Sequence, residues 1–240
     1  DFGTIQYCLN NSGGTYSATV PSASAANTTY KVWYKVVGDS NVNDVAAASI
    51  DCMIAEKRVT TPTITLDPSS YIYSGNQCKP TPTVKDGSTV IPSGEYTVSY
   101  SNNTNAGTAT VTITDKSGGN YTVNGSTTFT INKVTPTVTA PTTKSLTYNG
   151  SAQALVNVGS TDWGTLQYSL NESGTYTTDV PSGTNATSYE VWYKVVGDSN
   201  INDVAPTKIN VSIAKADVTY TAPTANDTTY NGESQALLNT

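Results

Sequence analysis

Apolar and polar side chains alternate one by one along many short stretches of this chain. Leu166, Tyr168 and Leu170 fall on one face of an extended strand, and the two residues between them are polar. Residues 189–195 and 209–213 show the same alternation, and clusters of Gly, Asn, Asp and Pro separate such stretches. No stretch has the 3.6-residue apolar period and the caps of a long helix. The pattern predicts short antiparallel strands of the kind that build a β-sandwich.

Long blocks of sequence recur along the chain. Residues 31–46 read KVWYKVVGDSNVNDVA, and residues 190–205 read EVWYKVVGDSNINDVA. The elements YNG and QAL of residues 148–155 return in residues 230–237. Repeats spaced by roughly 80 residues have the length of one small sandwich domain. The chain is therefore predicted to contain several related β domains.

A diverged unit lies between the two near-identical blocks, and it carries three short motifs. These motifs are Tyr73-Ser74-Gly75, Asn105-Ala106-Gly107-Thr108 and Gly119-Asn120-Tyr121. Together with the YNG elements, they resemble the mostly-bacterial immunoglobulin-like repeats of bacterial surface adhesins, of the type named for a Tyr-Asp-Gly motif. The resemblance implies a tandem array of immunoglobulin-like domains in an extracellular stalk or adhesin, secreted or attached to the cell surface.

The repeats predict four segments. Residues 1–58 form an immunoglobulin-like repeat that lacks its first strand (the N-terminal repeat), and residues 59–133 form a diverged repeat. Residues 134–215 form a complete repeat, and residues 216–240 (the C-terminal segment) supply the first strand of a further repeat. The predicted fold class is all-β, with tandem immunoglobulin-like β-sandwich domains in an extended array.

Composition narrows the function. The chain carries 12 Lys and Arg against 18 Asp and Glu, for a net charge of −6. We expect no nucleic acid partner, since affinity for phosphates requires clustered basic residues. The chain has no histidine, which excludes a Ser-His-Asp triad and the usual zinc ligand sets. No apolar stretch approaches the roughly 20 residues of a membrane-spanning helix, so no membrane insertion is expected for this segment.

Catalysis is the least supported interpretation. Asp198 and Asp203 are a conceivable glycosidase pair, but both lie in one short loop that recurs at residues 38–44. Active sites are seldom duplicated along a stalk, whereas turns are. We therefore expect a non-enzymatic protein with no catalytic residue and no cofactor.

The same loop has a second interpretation. Asp198, Asn200, Asn202 and Asp203 place oxygen atoms at spacings that superficially suit calcium. Asp and Asn also stabilise hairpin turns without any metal, and the loop lacks the Gly and Glu positions of an EF-hand. The favoured interpretation is a plain hairpin turn, with no metal site.

Two tryptophans are the candidate ligand-binding residues. Trp33 and Trp192 fall on the polar face of their strands when the alternation is taken literally. An exposed Trp can stack on a sugar ring or on another protein. The alternative is that both lie inside, as the core Trp of immunoglobulin domains does.

Cysteine positions leave a disulfide open. Cys8 and Cys52 occur in the N-terminal repeat, and their counterparts in the complete repeat are Ser169 and Val211. Cys8 falls on one face of its strand and Cys52 on the other, which disfavours a bond between them. Cys78 has no evident partner.

The junctions and ends suggest two larger properties. Residues 54–60, 131–135 and 213–219 contain no Gly or Ser-rich tract, which predicts strand-to-strand connections and a fairly stiff rod. The C-terminal segment matches what the N-terminal repeat lacks, so the ends of two chains could exchange strands, or the segment could simply be a window on a longer array.

The leading function is a structural stalk or fibre segment acting as a stiff spacer. The alternative is an adhesive module that binds host glycan or protein through exposed aromatics or sheet edges.

Overall fold

A computed structural model describes residues 3–239. Asp1 and Phe2 of the predicted N-terminal repeat, and Thr240 of the C-terminal segment, lie outside the described residues. The chain is all-β with several sheets, and one 3₁₀ turn at Ser93–Glu95 is the only helical element among residues 3–239. The chain falls into two compact units that divide between Val134 and Thr135. This confirms the all-β prediction and is consistent with the β-sandwich class.

The described part of the first unit, residues 3–134, contains twelve strands. Their bounds are β1 Thr4–Leu9, β2 Thr28–Val37, β3 Val45–Ile54, β4 Lys57–Val59, β5 Thr63–Asp67, β6 Ser70–Ile72, β7 Thr81–Asp86, β8 Thr89–Val90, β9 Tyr96–Ser101, β10 Gly107–Asp115, β11 Tyr121–Val123 and β12 Gly125–Asn132.

Strands β1, β2 and β3 form a three-stranded antiparallel sheet in which β3 is an edge strand. The rest of the first unit has a four-stranded sheet of order β6-β12-β10-β9, a three-stranded sheet of order β5-β7-β8, and a parallel pair of β11 with β4. The pairing of β4 with β11 joins the segment that leaves the first sheet to a strand more than sixty residues further along the chain.

The core of the first unit is built from residues 59–131. Along β10, Ala109, Val111 and Ile113 are fully buried, because every second side chain of a strand points to the same face. Phe129 and Ile131 of the neighbouring strand β12 join them, and Phe129 meets Tyr71 edge-on with ring centroids 5.7 Å apart. No residue of β1, β2 or β3 belongs to this core.

The second unit contains strands β13 to β24. Their bounds are β13 Val138–Thr139, β14 Thr142–Thr143, β15 Leu146–Thr147, β16 Gln153–Ala154, β17 Val156–Asn157, β18 Ser160–Thr161, β19 Thr165–Ser169, β20 Ser182–Gly183, β21 Ser188–Val196, β22 Val204–Ala214, β23 Thr224–Ala225 and β24 Leu238–Asn239.

The main sheet of the second unit has the order β15-β22-β21-β19. Strands β19, β21 and β22 correspond to β1, β2 and β3. The pairing of β21 with β22 shifts register between Tyr193 and Val195, and the pairing of β2 with β3 shifts at the matching place, between Tyr34 and Val36. The fourth strand, β15, has no counterpart beside β3 among the described residues.

Alternation along β21 decides which face is covered. Val191 and Val195 are buried, whereas Glu190, Trp192 and Lys194 lie on the other face. Leu155 and Val156 lie in the same core cluster as Val191, with Tyr168, Val211 and Ile213. The alternation predicted from the sequence is confirmed along this strand, but Leu170 does not extend it, because β19 ends at Ser169 and Leu170 is exposed.

In the N-terminal repeat, the side chains that match this core are less buried than in the complete repeat. Val32 and Tyr7 match the buried Val191 and Tyr168, yet both are only half-buried. Cys52, the counterpart of the buried Val211, is exposed. The difference arises because no segment among the described residues takes the place of Leu155 and Val156.

Leu155 and Leu237 allow a matched test of the assigned core of the second unit, because each follows a Gln-Ala pair. Leu155 is fully buried, whereas Leu237 is 72% exposed. We expect Leu155→Ala to lower the free energy of unfolding of the second unit by about 2–5 kcal/mol, since it removes buried side-chain volume. Leu237→Ala in dilute solution should change it by less than about 0.5 kcal/mol. Chemical denaturation of both variants measures the two values, and equal losses would contradict the assigned core.

Candidate functional site

The loop proposed as a calcium site is a hairpin turn closed by its own carboxylates. Asp198 Oδ1 accepts hydrogen bonds from the backbone N–H of Asn200 at 2.7 Å and of Ile201 at 3.0 Å. Asp203 Oδ1 accepts one from the N–H of Gly197 at 2.8 Å. The Asn202 side chain also makes a hydrogen bond, in which its Nδ2 donates to Thr135 Oγ1 at 2.9 Å. Each of these side chains therefore holds the turn or its surroundings.

The loop of the N-terminal repeat has the same geometry. Asp39 Oδ1 accepts the N–H of Asn41 at 2.7 Å, and Asp44 Oδ1 accepts the N–H of Gly38 at 2.8 Å. A Cβ at Gly38 would lie 1.9 Å from the Val42 carbonyl oxygen, so only glycine fits where the two sides of the loop approach each other. Within residues 3–239, no three His, Cys, Asp or Glu side chains are grouped closely enough to hold a metal ion.

Trp192 lies on the solvent side of the main sheet, and not in the core. Its Nε1 donates to Glu190 Oε2 at 3.3 Å, and Lys208 Nζ lies 5.4 Å from its ring centroid. Lys208 also donates to Glu190 Oε1 at 2.6 Å, and this hydrogen bond holds the pKa of the Glu190 carboxyl below its usual range. The core alternative is wrong for Trp192, because the β21 face that points inward carries Val191 and Val195 instead.

Trp33 occupies the matching place in the N-terminal repeat and is also half-buried. The lysine and glutamate that surround Trp192 are not repeated there, since Ser49 stands at the position of Lys208 and Lys31 at that of Glu190. Lys31 instead pairs with Asp51 at 2.6 Å. The two tryptophans therefore share a face of the fold but have different neighbours.

All three cysteines are free thiols. Cys8 stands opposite Trp33 in the sheet register, and Cys52 stands opposite Tyr30. Positions 30 and 33 of one strand point to opposite faces, so the two thiols do as well. This geometry rules out a Cys8–Cys52 disulfide in the folded sheet. Cys78 is buried in the core of the first unit, where desolvation raises the pKa of its thiol.

A polar cluster around Asn120 joins the N-terminal repeat to the diverged repeat, and we call it the junction clamp. Asn120 accepts the Ala26 N–H through Oδ1 at 2.8 Å and the Lys57 N–H through its backbone oxygen at 2.9 Å. Its own N–H donates to Glu95 Oε2 at 2.6 Å, and its Nδ2 donates to Glu95 Oε1 at 3.1 Å. One asparagine thus uses four polar groups to hold three separate segments.

Glu56 completes the junction clamp from the other side. Its carboxylate accepts hydrogen bonds from Asn27 Nδ2 and from Thr122 Oγ1. Lys57, the next residue, begins the parallel pairing of β4 with β11. The connection between the two repeats is therefore held by main-chain pairing and by side chains on both flanks.

Two features of the local sequence prepare Asn120 for this role. A Cβ at Gly119 would lie 2.8 Å from Glu95 Oε2, so glycine is needed to let the carboxylate approach the turn. The backbone and side-chain hydrogen bonds from Asn120 then lower the pKa of the Glu95 carboxyl. Sequence analysis identified Gly119-Asn120-Tyr121 as a motif but did not find the clamp, because Ala26 is 94 residues away from Asn120.

No protein-family model matches the chain, and no curated protein matches it. Among residues 3–239 there is no helix of the length and apolar character that a bilayer crossing requires.

The junction clamp can be tested at Asn120. Asn120→Ala removes the acceptor of the Ala26 N–H, and Ala26 is buried, so we expect a loss of about 1–3 kcal/mol of stability at the junction. Amide hydrogen exchange should show faster exchange at Ala26, while the amide of Val111 in the β10 core keeps its protection.

Asn120→Asp is the matched control, because it keeps the Oδ1 acceptor but places a second carboxylate beside Glu95. We expect Ala26 to stay protected in this variant at low pH, where the carboxylates are protonated, and to lose protection at neutral pH. Unchanged exchange at Ala26 in Asn120→Ala would show that the contact does not hold the junction.

Proposed function

We propose that this chain is a non-catalytic segment of an extracellular bacterial surface protein, in which tandem immunoglobulin-like sandwiches act as a stiff stalk or fibre. Its work is mechanical: each folded repeat extends the distance between the cell surface and whatever the protein presents. The resemblance of the sequence motifs to repeats of bacterial surface adhesins supports the extracellular location.

The observation that carries the proposal is the junction clamp. A flexible linker leaves two domains free to reorient, and Gly- and Ser-rich sequences serve that purpose. Here Glu56 and Asn120 bind residues of both repeats, and β4 pairs with β11 immediately after the first sheet ends. Such a connection restricts bending, which is what a spacer requires.

The use of polar side chains in the duplicated loops supports the same proposal. Asp198 and Asp203 bind backbone N–H groups of their own turn, and Asp39 and Asp44 do so in the N-terminal repeat. Carboxylates that close turns in two repeats serve the fold of each repeat. This arrangement supports a structural role better than a catalytic one.

Small-angle scattering tests the spacer role. A compact chain of 240 residues has a radius of gyration of about 18 Å, and we expect a clearly larger value with a long, narrow distance distribution. The double variant Glu56→Ala with Asn120→Ala should broaden the distribution, since it releases the junction clamp. A value close to that of a compact globule would refute the spacer proposal.

A second candidate function is adhesion, in which Trp192 and Trp33 contact a host glycan or protein. The observation that favours it is the position of Trp192 on the solvent side of the sheet, next to Glu190 and Lys208. An indole flanked by a carboxylate and an ammonium group offers an apolar face and hydrogen-bonding partners to a sugar.

Binding to a glycan array discriminates the two candidates. If the chain is an adhesin of this kind, Trp192→Ala should reduce binding at least about tenfold while the thermal midpoint stays within a few degrees of the parent. Trp163→Ala, in the same repeat, is the matched control and should keep binding. No binding by the parent chain, or equal loss in both variants, would contradict adhesion through Trp192.

A further inference from the structure

The solvent-side face of β19, β21 and β22, and the matching face of β1, β2 and β3, carry the same three side chains. We call each of these faces a tryptophan face and each set of three side chains a Trp-Lys-Tyr triad. The two triads are Trp192, Lys194 and Tyr176 in the complete repeat and Trp33, Lys35 and Tyr16 in the N-terminal repeat. Lys194 Nζ lies 4.4 Å from the ring centroid of Tyr176, and Lys35 Nζ lies 4.7 Å from that of Tyr16.

The two tyrosines reach this position from loops of different length. Tyr16 lies seven residues after Leu9, whereas Tyr176 lies six residues after the matching Leu170. Each phenol nevertheless donates a hydrogen bond to the carbonyl oxygen four residues earlier in its own loop, at 3.1 Å. The ring therefore keeps its place over the lysine although the loop differs by one residue.

One lysine of each tryptophan face has no acidic partner. The ion pairs on the two faces, both with 2.6 Å between the charged atoms, are Lys208 with Glu190 and Lys31 with Asp51. Lys194 and Lys35 form no ion pair with a carboxylate among residues 3–239. The three strands of each tryptophan face thus present two ammonium groups and one carboxylate, although the whole chain has a net charge of −6.

The tyrosine loop also gives the tryptophan face a raised edge. Ser169 lies opposite Trp192 in the sheet register and is buried, and a Cβ at Gly174 would lie 2.8 Å from its Oγ. The N-terminal repeat has the same close approach, because a Cβ at Gly14 would lie 2.7 Å from Cys8 Sγ. The half-buried indole therefore lies at the foot of a loop that packs closely on the sheet.

The side chains of a tryptophan face suit a sugar that carries a carboxylate. Trp192 and Lys194 are two residues apart on one strand, so their Cβ atoms are about 7 Å apart on the same face. An indole stacks on the apolar face of a sugar ring, and an ammonium group donates charge-assisted hydrogen bonds to a carboxylate. Gln167, which lies opposite Lys194, adds an amide that can bind a sugar hydroxyl.

We propose that each Trp-Lys-Tyr triad binds a carboxylated sugar of an acidic glycan, with the ring on the indole and the carboxylate on the unpaired lysine. The tyrosine ring holds that lysine in place, which reduces the conformational entropy lost on binding. This inference rests on adhesion, the second candidate function, and names its ligand class; the spacer role does not depend on it.

Isothermal titration calorimetry of the 240-residue chain with hyaluronan, polysialic acid and oligogalacturonate is the test. We expect at least one of these carboxylated glycans to bind and to change the tryptophan fluorescence. Its carboxyl-reduced form, in which each carboxylate is an alcohol, should bind at least about tenfold more weakly. High salt should weaken binding of the acidic form, because it screens exposed charges.

Lys35→Met with Lys194→Met removes both unpaired ammonium groups and keeps an unbranched apolar chain over each tyrosine ring. We expect this double variant to lose at least about tenfold in affinity, with a thermal midpoint within a few degrees of the parent. Lys79→Met with Lys215→Met is the matched control, because it removes the same charge from two other exposed positions. The control should bind within about twofold of the parent.

Four results overturn the inference: no binding of the three carboxylated glycans, binding of dextran sulfate alone, equal binding of the carboxyl-reduced form, or equal losses in the two lysine variants. Equal binding of the reduced form, if it is lost in Trp33→Ala with Trp192→Ala, leaves adhesion through the tryptophans standing and removes only its acidic ligand. The spacer role is measured separately, by scattering.

Discussion

Each main sheet built from the repeated blocks has one apolar face that its own three consecutive strands cannot bury. In the complete repeat, the cover comes from residues that precede the sheet in sequence, and it buries Leu155 and Val156 against Tyr168 and Val191. Among residues 3–239 no equivalent segment packs on the sheet of β1, β2 and β3, and the matching side chains Tyr7 and Val32 are only half-buried. The sheet is thus set by local pairing, whereas the core needs a partner that is distant in sequence.

The hairpins of residues 142–157 and 224–239 show that the shape of such a segment is also set locally. Gln153 and Gln235 form the same bond to the backbone six residues earlier, although only the first hairpin is packed against a sheet. Local hydrogen bonds and a glycine with positive φ are enough to shape the hairpin. Its stability in a folded domain then depends on burial of apolar area, which contributes roughly 25 cal/mol for each Å² removed from water.

This separation explains what could be predicted from the sequence. Alternation along residues 189–195 predicted the strand and the two sets of residues that share a face, because the period of a strand is local. The turn of Asp198 and Asp203 was predicted because Asx residues act within a few positions of themselves.

The sequence left open which face of β21 points inward, and it did not predict the contacts between distant segments. A core position for Trp192 was suggested by analogy with immunoglobulin domains, but the inward face was already filled by Val191 and Val195. The junction clamp was missed because Glu56, Glu95 and Asn120 are far apart in the chain, and each of them alone looks like an ordinary surface residue. Only the pairing of β4 with β11 brings them together.

In the spacer role proposed for this chain, the junction clamp is the place where force would pass from the N-terminal repeat to the diverged repeat. Tension along the chain leaves the first sheet through β3 and enters β4, which is paired with β11 in parallel register over three residues. Asn120 adds hydrogen bonds to Ala26 and to Glu95, so the junction also holds the loop of the N-terminal repeat and the turn before β9. A junction of this kind couples the stability of one repeat to that of the next, as expected where neighbouring repeats contact each other.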